Sequence, residues 1–237
     1  MIIAHHNWVE RKKGESLIES RDFFSNVKEE AIMVMAFYFS ERKEEEKVMG
    51  SKKVLMFMGS PRKEVNSATL AKQVAAGAEA SGAKVESFYL HDMDIKPCDA
   101  CEACRDKSET DCILDDDMKA LFSKLRQADV IVIASPIYWF TVSAQTKLFM
   151  DRWYALGGPE GHSFKGKRFG IVLTYADTDP FTSGAVNALR TFQDALNYVG
   201  ATTIGMVYGS AWGAGEIKKN QELIKKAYEL GKQLAAD

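Results

Sequence analysis

From Lys53 onward, short apolar runs alternate with amphipathic segments without a break, and this alternation restricts the possible folds more than any other feature. "KVLMFMGS" is apolar throughout and ends in a Gly-Ser turn, which predicts a strand buried on both faces. "NSATLAKQVAAGAEASG" has helical spacing, an Asn/Ser start and a glycine stop. "AKVESFYL" predicts a second strand, "DDDMKALFSKLRQA" an acid-started helix and "DVIVIASP" a third strand. "SAQTKLFMDRWYAL" reads as a helix, "KRFGIVLTYA" as a strand and "SGAVNALRTFQDALNYVG" as a helix closed by glycine. "ATTIGMVYG" is a fifth strand, and "AGEIKKNQELIKKAYELGKQLAA" a last helix. Strands and helices that alternate in this way form a parallel sheet covered by helices on both faces. The expected fold is α/β, a doubly wound five-stranded parallel sheet with strand order 2-1-3-4-5 as the leading topology.

Residues 1–50 stand outside this rhythm. They hold the apolar run "AIMVMAFYF" between charged flanks, ending in "ERKEEEKVMG". One reading is an N-terminal arm that packs on the domain or on a partner subunit. Another starts the protein at Met49, because the Lys-Glu-Glu-Glu just upstream needs purine-only codons of the kind found in a bacterial ribosome-binding sequence. Residues 51–237 form the domain, with a cysteine-rich loop at 97–112.

"AIMVMAFYF" is too short for a bilayer, which needs ~20 residues in a helix, and the first residues lack a secretory core and cleavage site. The expected location is the cytoplasm, with no membrane partner. The net charge of -2 is spread along the chain, which excludes the clustered basic surface that nucleic acid requires.

Three loops carry candidate chemistry. "GSPRKEVNSATL", Gly59 to Leu70, joins the first strand to the first helix, where a doubly wound fold holds phosphate on helix N–H groups. Ser60, Asn66, Ser67 and Thr69 offer short donors, and Arg62 a cation. G-K-[ST] and G-x-G-x-x-G are both absent, so a single terminal phosphate is the better match. An ordinary capped turn is the alternative. After the third strand, Pro136 is expected to end the strand. Ile137, Tyr138, Trp139 and Phe140 then crowd a loop at the carboxyl edge of the sheet, which suggests a flat ligand or an interface. The alternative is core folded under the next helix.

The third loop holds every cysteine of the chain: Cys98, Cys101, Cys104 and Cys112, spaced C-x2-C-x2-C-x7-C. In a reducing compartment such a cluster is more often a metal or redox site than a disulfide framework. Three compact thiolates wrapping one face and a fourth closing it suit a 4Fe–4S cluster. Two alternatives stay open: thiols without metal, near enough to form redox disulfides, and zinc, which usually takes two separated C-x2-C pairs. Asp99, Glu102, Asp106, Glu109 and Asp111 make the loop acidic, which lowers a nearby cluster's potential or merely keeps the loop soluble.

"GSPR…NSATL", "PCDACEAC…C", "DDDM" and "SPIYWFTVSAQTKLFMDR" together resemble the NAD(P)H-dependent FMN reductase group of flavodoxin-like proteins, and with the cysteines the iron–sulfur flavoproteins of anaerobes. The resemblance covers Lys52 to about Asp237. It implies FMN, with its phosphate on Ser60, Pro61, Arg62, Asn66, Ser67 and the following amides, Ala68 and Thr69. It implies the isoalloxazine ring against Pro136 to Phe140, with Thr174, Ala176 and Asp177 closing the other side. It also implies NAD(P)H as co-substrate and a homodimer or dimer of dimers with the flavin near the interface. The expected function is an FMN-dependent oxidoreductase. It passes electrons between NAD(P)H or ferredoxin, a cluster and a small acceptor such as a quinone, a nitro or azo compound, a metal ion or oxygen species. The alternatives are a flavodoxin-type carrier and a cluster-free NAD(P)H-linked reductase.

Other residues carry less. His5, His6, His91 and His162 form no metal-binding pair. Ser135 and Ser143 lack a G-x-S-x-G context. Asp115 to Asp117 reads as the first turn of a helix, Trp153 and Tyr154 as packing, and Lys165 to Arg168 as a solvated turn with some attraction for a nicotinamide phosphate.

Overall fold

The computed structural model describes residues 51–106 and 112–236. The chain divides into Met1–Gly50 and Ser51–Asp237; the arm, the Met49 start, His5 and His6, and the acids Glu109 and Asp111 lie outside the described residues. Five parallel strands form the sheet: β1 (Lys53–Met58), β2 (Lys84–Tyr89), β3 (Val130–Tyr138), β4 (Arg168–Tyr175) and β5 (Thr202–Ser210). Their order is β2-β1-β3-β4-β5, as the alternation predicted. The five longer helices are α1 (Asn66–Ala80), α2 (Met118–Gln127), α3 (Ala144–Asp151), α4 (Ala185–Tyr198) and α5 (Gln221–Ala235).

Both faces of the sheet are buried, because side chains alternate across a strand. Val54, Met56, Val130, Val132 and Ala134 meet Leu70, Val74, Leu230 and Leu234 of α1 and α5. Leu55, Phe57, Ile131, Ile133, Phe169 and Ile171 meet Phe122, Phe149, Trp153 and Phe192 on the other face. Phe57 stacks on Phe149 at 4.3 Å and on Phe88 at 5.1 Å; truncating such a ring to alanine costs about 3–5 kcal/mol. On the first face α1 and α5 touch backbone to backbone. A Cβ on Gly77 would lie 2.0 Å from Tyr228 O, and one on Gly231 2.0 Å from Val74 O.

Two boundaries differ from expectation. The last helix starts at Gln221 rather than near Ala214, because Asn220 caps it by accepting from Leu223 N at 3.0 Å; a 3-10 turn, Glu216–Lys219, precedes it. β3 runs through Pro136 to Tyr138. Ala134 O accepts from Gly59 N at 2.8 Å, so Pro136, two residues on, faces the same side, where β1 has already ended. Its missing N–H therefore breaks no ladder bond.

Candidate functional site

The direction of winding reverses between β1 and β3, so their carboxyl ends open on the crevice where doubly wound sheets bind ligands. The loop after β1 enters it first. α1 begins without a side-chain cap and with no acid in its first turn. The N–H groups of Asn66, Ser67 and Ala68 precede the first intrahelical bond, Thr69 N to Val65 O at 2.8 Å. Three N–H donors at the positive end of a helix dipole have the chemistry of an anion site. Ser60 and Ser67 are buried beside them, and Arg62 is exposed. The loop's other charges are spent on neighbours: Lys63 on Asp92 and Glu64 on Lys72, each at 2.5 Å.

Two expected donors have other work. The Asn66 side chain donates to Gly213 O at 2.9 Å and accepts from Ile217 N at 3.2 Å, tying α1 to the loop after β5. The Thr69 N–H is taken by Val65. Pro61 sits half-buried at the start of the loop.

The aromatic segment is a hairpin rather than an open loop. Ile137 pairs with Val142 and Tyr138 with Thr141, leaving Trp139 and Phe140 as the two-residue turn. Both have positive φ, 48° and 66°, as a type I′ turn requires, although asparagine and glycine normally fill these places. Side chains held there cost roughly 1–2 kcal/mol each. Trp139 is 92% exposed and Phe140 54%, so no core packing repays that strain. The Asn187 side chain donates to Phe140 O at 3.1 Å and fixes the tip against α4.

Beneath the hairpin lies a buried layer of hydroxyls. Ser135 Oγ accepts from Ser143 N at 3.0 Å; Ser143 Oγ donates to Gly59 O at 2.7 Å and accepts from Thr146 N at 3.3 Å, capping α3. The two serines thus join the loop of β1 to the hairpin of β3. Gly59 must be glycine, since a Cβ would lie 1.9 Å from Thr146 Oγ1.

On the far side, Thr174 is buried opposite Pro136, Ala176 is exposed and Asp177 half-buried. Asp179 turns this loop by accepting from Phe181 N at 2.7 Å and Thr182 N at 3.1 Å, and those donors hold its carboxyl below the usual range. Phe181 and Trp212 stand 75% and 73% exposed in the loops after β4 and β5. The sequence reading missed both; each is an aromatic just past a strand end, the same signal that singled out Trp139.

The four cysteine thiols are free, Cys98 and Cys101 exposed, Cys104 and Cys112 half-buried. Desolvation pushes the Cys104 thiol up, partly offset by Arg105, with Cys112 and Cys101 near enough to add to the rise. Ala100 and Glu102, between the cysteines, both have positive φ. In number and chemistry this donor set fits a cluster of four thiolate-bound irons. Among the described residues no three ligating side chains already converge on one point, so metal would draw the loop together as it binds.

The acid run behaves differently from expectation. α2 starts after it, at Met118. The Asp116 side chain instead turns inward and is buried, paired with the equally buried Arg152 side chain. Burial opposes both charges, yet hydrogen bonds between them raise Arg152 and lower Asp116, with the Cys112 side chain also favouring the Arg152 charge. Trp153 is core and Tyr154 reaches Glu102. Lys167 and Arg168 lie at the amino end of β4, away from the crevice, and donate to Ala128 O and Gln233 O. No helix among the described residues is long and apolar enough to cross a membrane.

The NADPH-dependent FMN reductase family matches residues 52–213. An iron–sulfur flavoprotein of Archaeoglobus fulgidus is 32% identical over 187 residues, 77% of this chain and 79% of that protein. One of Methanocaldococcus jannaschii is 29% identical, over 77% of this chain and 95% of its own length. An NAD(P)H:quinone oxidoreductase from Methanothermobacter marburgensis superposes with a TM-score of 0.64 at 17% identity, over 79% of this chain and 99% of that one, a likeness of fold. The chain belongs to the NADPH-dependent FMN reductase family, and it is an oxidoreductase.

Proposed function

We propose that this oxidoreductase moves electrons between NAD(P)H or ferredoxin, FMN in the β1/β3 crevice, a 4Fe–4S cluster on the cysteine loop, and a small acceptor. The observation that carries the reading is the uncapped start of α1 beside a strained aromatic hairpin at the point where the sheet reverses its winding. The first suits a phosphate and the second a flat ring.

The N–H groups of Asn66, Ser67 and Ala68, with the Ser60 and Ser67 hydroxyls and Arg62, hold the phosphate. Pro136 to Phe140 orient the ring, and Thr174, Ala176 and Asp177 border its other side. Asn66 acts through its backbone, because its side chain is committed to Gly213 and Ile217. Bound FMN supplies the hydride and single-electron chemistry; no side chain need act as acid or base. Cys98, Cys101, Cys104 and Cys112 would hold the cluster, which supplies one-electron relay. The names of the archaeal relatives support it. Trp139, Phe181 and Trp212 on one edge support a second copy of this chain as the cover of the crevice.

The test is the absorption spectrum of anaerobically purified full-length protein, with iron and acid-labile sulfide assayed on the same sample. The reading expects flavin bands, a broad shoulder near them and about four irons per chain. Flavin without iron or sulfide, after reconstitution, leaves a cluster-free NAD(P)H-linked reductase. Fast NAD(P)H oxidation with an artificial acceptor separates the enzyme from a flavodoxin-type carrier.

A further inference from the structure

Arg152 heads the fully buried side chains, and its carboxylate partner Asp116 is as deeply buried. Burying two charges costs several kcal/mol per ion, and a well-packed apolar pair is often as stable or more so. Simple stability is therefore a weak reason for an ion pair here. What it joins gives a better one. Arg152 Nη1 donates to Lys96 O at 2.9 Å, two residues before Cys98. The same guanidinium grips Asp116, four residues after Cys112, through both carboxylate oxygens. Asp116 in turn accepts from Lys96 N and Met118 N, each at 3.0 Å. Backbone lacing completes the closure: Asp94 N to Asp117 Oδ2 at 2.8 Å, Asp117 N to Asp94 O at 3.0 Å, and Lys96 Nζ to Asp115 O at 2.7 Å.

The 3-10 turn that carries Arg152, Arg152–Leu156, also holds the middle of the loop. The Tyr154 hydroxyl donates to Glu102 at 3.1 Å, between Cys101 and Cys104. The Arg105 guanidinium, next to Cys104, lies 3.7 Å from the centroid of the Tyr154 ring and fills the space where Gly157 lacks a Cβ. One turn thus grips the loop before, between and after its cysteines.

We propose that Arg152 and Asp116 form a positioning latch that closes the two ends of the cysteine loop on one guanidinium and so keeps its Cys98 and Cys112 ends together. Its consequence for iron rests on the cluster reading above. The latch itself is a property of this chain's own side chains.

The decisive variant is the double Arg152→Met, Asp116→Leu, which removes both charges and keeps the volume filled; Asp116→Asn alone leaves an unpaired buried charge and is kept as a comparison. In metal-free, reduced protein, alkylation by iodoacetamide is followed at each cysteine by peptide mass spectrometry. The latch predicts Cys112 roughly tenfold slower than Cys98 in the wild type. In the double variant the two rates come within about twofold, while the protein still folds and FMN content stays near wild type. Anaerobic reconstitution then gives the double variant less than half the wild-type iron and sulfide. A folded, FMN-loaded double variant with the wild-type alkylation pattern and wild-type iron overturns the proposal. If the wild type takes up no iron while the alkylation rates shift as stated, the latch stands and the cluster reading falls. If the double variant fails to fold, Arg152→Lys decides: it keeps the charge but loses the fork, so an unchanged Cys112 rate in that variant also overturns the latch.

Discussion

The two ends of α3 fix two loops with opposite chemistry. At its start, Ser143, Thr146 and Ser135 join Gly59 to the hairpin through neutral hydroxyls and backbone groups of adjacent strands. Past its end, Arg152 binds Asp116 across 36 residues of sequence through a buried ion pair. The first loop inherits its position from the sheet, and the side chains only trim it. The second has no strand beneath it, so side chains must hold it. The phosphate site and the metal loop proposed above would have different needs, one preorganised and the other able to gather around an ion, and the two kinds of support suit them. The eight residues of α3 that separate them rise about 12 Å.

That contrast can be broken from either end. Asp116→Ala is expected to have the largest effect, about 3–5 kcal/mol lost in denaturant unfolding, because it strands a buried guanidinium; a loss under about 1 kcal/mol would show the pair to be solvated and the contrast false. Gly59→Ala drives a methyl into Thr146 Oγ1. It should cost about 1–3 kcal/mol and weaken FMN binding by at least about tenfold, with the alkylation rates of the cysteines unchanged. Coupled loss at both loops would mean that α3 moves as one rigid piece. Ser143→Ala removes a cap and should cost about 1 kcal/mol, read as a drop in melting temperature.

Trp139→Asn sharpens the comparison differently, since it should gain stability and lose affinity. Asparagine is at ease at positive φ, so up to about 1 kcal/mol of strain is relieved, while fluorescence titration should show weaker FMN binding. A neutral or stabilised variant with unchanged FMN affinity would remove Trp139 from the site.

The smallest expected effect is a pH dependence under the cysteine side of the molecule. His162 is half-buried, accepts from Phe164 N at 3.1 Å and contacts Trp153 O at 3.1 Å; burial holds its pKa down. The folded state therefore binds fewer protons than the unfolded one just below the ordinary histidine pKa. Its contribution is fully present above that value, about 6.5, and is lost as the pH falls through the lower folded one. Melting temperature should fall between pH 7.5 and pH 5.5, and His162→Gln should flatten that part of the profile.

The sheet was legible in the sequence because a strand buried on both faces is a continuous apolar run, and β1, β3 and β4 have no polar interruption before their carboxyl ends. The loop that opens on the crevice was legible for a related reason: in a doubly wound sheet it follows the first strand. The hairpin was only half legible. Its crowded aromatics marked the place, but Trp139-Phe140 carries none of the Asn-Gly signal of a two-residue turn, so strain hid the geometry. The Arg152–Asp116 pair was not legible at all. An acid run before a helix reads as a helix start, and no local pattern shows that one of three aspartates turns inward to an arginine on another element. Asn66 shows the same limit, a residue in the right loop whose side chain serves a distant turn.

On the proposed reading, the bare start of α1 would anchor FMN by its phosphate. The direct measurement is the affinity of flavin-free, full-length protein for FMN and for riboflavin, by fluorescence quenching in the same buffer. The account predicts that FMN binds at least about 100-fold tighter, the equivalent of one or two charge-assisted hydrogen bonds. Equal affinities would contradict it, because the ring alone would then carry the binding and the three N–H groups would face nothing but water.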